Sequence, residues 1–76
     1  MEYFVHIINY NKETQTQTKI IESYSTYDGA LVRFHTAMRD GISNTKVAWC
    51  NTMITNQYGV IQKNEFWEEK QEPVSI

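Results

Sequence analysis

One segment, Tyr27 to Met38, repeats its apolar residues with helical spacing, and two strand-like segments lie on each side of it. A single helix therefore has to serve four strands. Tyr27, Ala30, Leu31, Phe34, Ala37 and Met38 fall on one helical face, while Arg33, Thr36, Arg39 and Asp40 fall on the other. Ser25 or Thr26 can cap the N-terminus, and Asp28 places a negative charge in the first turn. Gly41 is expected to end the helix in the left-handed conformation, with Ile42 folding back.

Before the helix, Tyr3 to Tyr10 is aromatic and β-branched and predicts a strand. Its two faces are both apolar: Tyr3, Val5 and Ile7 on one, Phe4, Ile8 and Tyr10 on the other. Asn11–Glu13 is a polar turn, and Thr14 to Ser25 predicts a second, antiparallel strand. After the helix, Thr45 to Thr55 predicts a third strand. Ala48, Cys50, Thr52 and Ile54 lie on one side, and Val47, Trp49, Asn51 and Met53 on the other. Asn56–Gly59 is a tight turn with Gly59 at positive φ, and Val60 to Trp67 is the fourth strand. The order ββαββ implies an α+β fold: a two-layer sandwich, a four-stranded antiparallel sheet with one helix on one face. Residues 1–67 form this domain, and residues 68–76 form an acidic tail expected to fray.

The chain of 76 residues has seven Lys and Arg against nine Asp and Glu, for a formal charge of -2. Phosphate affinity needs clustered Lys and Arg, and here they are scattered, so no nucleic-acid partner is expected. The acidic excess is local: Glu65, Glu68, Glu69 and Glu72 crowd the C-terminus. Such a patch can occupy the Lys- and Arg-rich site of a nucleic-acid enzyme, which makes inhibition of a host defence enzyme an alternative role. The lone Cys50 excludes an internal disulfide and suggests a reducing, cytoplasmic setting. Glu2 stands where a signal peptide carries basic residues, and no apolar run is long enough to span a bilayer, so no membrane partner is expected.

Side chains capable of chemistry do not assemble into a motif. His35 lies at the edge of the apolar helix face and His6 alternates with Phe4 and Ile8; each reads as a packed boundary histidine rather than a general base. His6, His35 and Cys50 have no metal-ligand spacing. Cys50, between Trp49 and Asn51, reads as a small buried residue rather than a nucleophile. Gly29, Gly41 and Gly59 are too far apart to cradle a phosphate. No catalytic, cofactor or metal site is expected.

The run Tyr24-Ser25-Thr26-Tyr27-Asp28-Gly29-Ala30-Leu31-Val32-Arg33-Phe34-His35-Thr36-Ala37-Met38, with Gly59-Val60-Ile61 and Glu65-Phe66-Trp67, resembles a set of short proteins encoded in phage-derived and mobile regions of gut bacterial genomes. The likeness covers roughly Tyr3 to Trp67 and rests mostly on structural positions. It implies a small α+β fold and a phage or mobile-element origin, and it carries no catalytic residue.

The aromatic content, 13%, is the feature left over. One helix covers one sheet face, yet the strands carry large apolar residues on both. Small Ala48 and Cys50 suit the side beneath the helix, which leaves Trp49 and Met53 on the open face. Tyr3, Val5 and Ile7, or their alternates, are expected there too, and Trp67 completes the candidate interface. Such a face is larger than monomers normally expose. A homodimer with sheets back to back is the favoured expectation, because a domain this small buries only about 60% of its unfolded surface. A different protein partner, from host or phage, and a platform for stacked single-stranded bases are the alternatives.

Overall fold

The computed structural model describes residues 1–70. Its elements run β1 (Tyr3–Asn11), β2 (Thr16–Tyr24), α1 (Tyr27–Ser43), β3 (Val47–Asn56) and β4 (Ile61–Glu68). The strands form one antiparallel sheet in the order β2-β1-β3-β4, with α1 packed across one face. The expected ββαββ sandwich is the observed fold. Hairpins β1–β2 and β3–β4 are local, and the helix carries the chain over so that β3 pairs with β1 at the centre.

Thr26 caps the helix: its Oγ1 accepts from the Gly29 N–H at 3.1 Å. The apolar stripe is buried as its spacing requires, with Ala30, Phe34, Ala37 and Met38 on the sheet and Tyr27 and Leu31 partly covered. The C-terminus differs from expectation. Gly41 is inside the helix and buried, and the cap is Asn44, whose N–H donates to the Asp40 carbonyl at 3.1 Å. Gly41 is needed for close approach instead, since a Cβ there would stand 2.9 Å from Cys50 Sγ.

Arg33 also departs from its expected outward role. It reaches over β2 and holds Glu22 in a two-pronged pair, Nε to Oε2 at 2.8 Å and Nη2 to Oε1 at 3.2 Å. Tyr24 Oη donates to the same carboxylate at 2.8 Å.

Two register shifts adjust the sheet. Tyr10 pairs with Trp49 but Asn11 pairs with Val47, so Ala48 is an extra residue in β3. The bulge turns Val47 into the core, where it is 6% exposed, although simple alternation put it with Trp49. Ala48 consequently does not line the helix side with Cys50; its carbonyl accepts the Glu69 N–H at 2.9 Å. A second shift lies between Ile54 and Thr55 against β4. The β1–β2 turn is longer than expected, with Gln15 at φ 55, and Gly59 takes φ 80 as its turn demands. The start of the expected tail is ordered, since Glu68 belongs to β4 and Glu69 is bonded to β3. The remainder of that tail lies outside the described residues.

Candidate interaction surface

The register decides which side chains face away from the helix. Val5 and Ile7 oppose Ile54 and Thr52, and all four are buried beneath α1. Their alternates on β1, Phe4, His6, Ile8 and Tyr10, therefore occupy the open face. Of the candidate interface residues, Trp49 and Met53 lie on that face. Tyr3, Val5, Ile7 and Trp67 do not: Val5 and Ile7 are core, and Tyr3 and Trp67 pack against the core from the helix side. Trp67 is set there by its pairing with Cys50. Helix and sheet approach closely over the middle of β1 and β3, where Val5, Ile7, Cys50 and Ile54 fill the space, while Tyr3 and Trp67 pack at its margin.

Three aromatic rings on the open face form a row across three strands. Tyr10 on β1 stacks on Trp49 of β3, with centroids 5.8 Å apart and planes 3° apart. Trp49 in turn meets Phe66 of β4 at 6.0 Å and 34°. The row ends in the open: Phe66 is 58% exposed. Ile21 on β2 and Ile61 on β4 extend the apolar surface toward both edges and are exposed as well. Polar side chains between them are tied down. Asn51 Nδ2 donates to Asn64 Oδ1 at 2.8 Å and to the Glu65 carbonyl at 2.7 Å. His6 Nε2 and Thr55 Oγ1 are 2.9 Å apart. Burial holds the His6 imidazolium below its ordinary range, and Lys19 on the neighbouring strand adds to the effect. The sequence leaves Tyr10 open, as an alternate to Tyr3, Val5 and Ile7, and Phe66 is not among the candidates. Neither face of β1 carries a small residue, so nothing local chooses between them.

Comparison with family models, with curated proteins and with solved structures returns no match.

The described members of the acidic cluster, Glu65, Glu68 and Glu69, do not share one patch. Glu65 pairs with Thr52, which faces the helix, while Glu68 pairs with Trp49, which faces away. Glu69 is bound by Lys12 at 2.7 Å, and Lys63 lies 4.0 Å from Glu65. Glu72 lies outside the described residues. The open face itself carries Lys19 and Glu68, one charge of each sign, so it has no positive field for a phosphate backbone.

The reactive residue types are spread out. Cys50 is wholly buried beneath α1, and burial pushes its thiol pKa up, which disfavours the thiolate. His35 is exposed on the helix, edge-on to Phe34 at 5.6 Å. His6 is on the opposite side of the sheet. Among the described residues no group of three or more His, Cys, Asp or Glu is placed to hold a metal ion. No helix of the described residues is long and apolar enough to cross a membrane.

Proposed function

We propose that this chain acts by protein–protein association through its open sheet face, without catalysing a reaction, and that its first partner is a second copy packed face to face. The observation that carries this reading is the stacked row Tyr10–Trp49–Phe66 ending in a Phe66 that is 58% exposed. Stacking preorganises the rings, so little side-chain entropy is lost when a partner covers them. Aromatic residues bury large areas and dominate interface energetics. Two such faces pack as the inner layers of a sandwich, about 10 Å apart. The resemblance to phage-derived and mobile-element proteins supports an accessory role, acting on a host or phage process from the cytoplasm.

The test is absolute mass in solution, by light scattering behind a sizing column across a concentration series. Wild-type chain is expected as a multiple of two, and Phe66→Lys is expected to halve that mass while leaving the far-UV spectrum unchanged. A wild-type monomer at every concentration, or a mass indifferent to Phe66→Lys, overturns the reading. A low-salt rise in anisotropy of a fluorescent oligonucleotide, abolished by Trp49→Ala, would replace it with base stacking.

A further inference from the structure

The two edges of the sheet are unlike. At the β4 edge the strand is interrupted by a register shift, and Lys63 turns inward over the Phe34 ring, 5.3 Å from its centroid. Bulges and inward-facing charges are the devices by which edge strands avoid pairing with other chains. At the β2 edge there is no bulge and the inward charge is cancelled, which leaves Lys19 as the one charged side chain guarding it. Strand β2 pairs with β1 through nine consecutive residues without a register shift. It contains no Pro or Gly, and its inward-facing Glu22 is neutralised by Arg33. Ile20 and Ile21 stand 46% and 53% exposed at its centre. Among the described residues, the outer side of β2 is a row of backbone donors and acceptors with no strand beside it.

We propose that β2 pairs antiparallel with β2 of a second copy, about a two-fold axis through Ile20, to give one continuous eight-stranded sheet. The occupant is another copy because β2 is complementary to itself in one register. Directly opposed residues in a two-fold antiparallel pair share a face, so the strand can centre on Ile20 or on Ile21 but not between them. Centred on Ile20, all of Thr16–Tyr24 pairs. Ile20 meets its own copy, Thr18 meets Glu22, Lys19 meets Ile21, Gln17 meets Ser23 and Thr16 meets Tyr24. No like charges are opposed, Ile20 gains an apolar neighbour, and Ile21 is covered by the aliphatic stem of Lys19. Centred on Ile21, the strand leaves Thr16 and Gln17 unpaired and sets Ile20 against the Glu22 carboxylate. Helix α1 packs mainly on β3 and β1, which leaves the edge accessible. This contact goes beyond the face-to-face association and stands without it. The two contacts use different parts of the sheet, the β2 edge and the open face.

The experiment removes the face contact first. In a Phe66→Lys background the chain is expected to retain a two-chain mass, and Ile20→Lys is expected to reduce it to one. An equal mixture of Ile20→Lys and Ile20→Glu chains restores two, because the substituted residues oppose each other. For the register, Ile20→Cys and Ile21→Cys chains are oxidised and followed by non-reducing electrophoresis. Opposed residues lie about 4.5–5.5 Å apart at Cα, within disulfide reach. The Ile20→Cys chain should cross-link about tenfold faster or more, since pairing fixes its thiols together at high effective concentration. Cys50 is buried and does not interfere. A Phe66→Lys chain that is monomeric throughout, or equal cross-linking at the two positions, overturns the edge pairing. Either result leaves the face-to-face reading to be judged by Phe66 alone.

Discussion

Gly41 of the helix and Cys50 of β3 lie in direct contact, close enough that a Cβ on Gly41 would stand 2.9 Å from Cys50 Sγ and 3.3 Å from its Cβ. The contact sets how near the last turns of α1 come to the sheet. It predicts that Gly41→Ala destabilises the protein by about 1–3 kcal/mol through overpacking, despite the roughly 1 kcal/mol by which Ala is the better helix former. Cys50→Ala should relieve the clash, so the double variant is more stable than the two single effects added together. Urea unfolding of the four chains measures this coupling. Strict additivity would show that the backbones are not held together here.

Thr52 is 1% exposed beneath the helix, and its Oγ1 has no hydrogen-bond partner. A buried hydroxyl left unpaired is costly, whereas its isostere is not. Thr52→Val is therefore expected to raise stability by about 1 kcal/mol. A fall in the denaturant midpoint would mean the hydroxyl is satisfied in solution.

Acid is expected to weaken the fold in two stages. His6 is held below its ordinary value of 6.5, first by burial and then by Lys19, so the unfolded chain binds the proton more readily. Its contribution is present above 6.5 and is lost as pH falls below that value toward the folded pKa. Glu22 is held below its ordinary 4.5, chiefly by the Arg33 hydrogen bond and then by that of Tyr24. Its contribution is lost below 4.5. Thermal midpoints recorded from neutral to acid pH should flatten in the first window for His6→Gln and in the second for Glu22→Gln. An unchanged profile in either variant refutes that assignment.

The two hairpin turns predict opposite signs. Gly59 is at φ 80 with open space around it, so Gly59→Ala suffers backbone strain and no clash. A loss of about 1 kcal/mol is expected. Gln15 takes φ 55 with a side chain that does not favour it. Gln15→Gly removes that strain and should be neutral to stabilising, by at most about 1 kcal/mol, since Gly also loosens the unfolded chain. Equal destabilisation at both turns would contradict the backbone account.

The element types were legible because helical and strand spacing, the Thr26 cap and Gly59 act within a few residues of chain. Every strand and the helix were located this way, with strand ends displaced by a residue or two and the helix end by three. Small Cys50 marked the inward face of β3, but the inward face of β1 was not legible. Tyr3, Val5 and Ile7 look as suited to an interface as Phe4, Ile8 and Tyr10 until β1 is placed between β2 and β3. Val47 shows the same limit, since one extra residue at Ala48 reverses its side and only pairing with Asn11 reveals it. Gly41 reads as a helix end until Cys50 is seen beneath it. Glu65 and Glu68 read as one patch until the pleat sends them to opposite faces. Local periodicity is written in the chain and specifies the elements; parity, bulges and close approach depend on partners far apart in sequence, and they settled where the aromatic face lies.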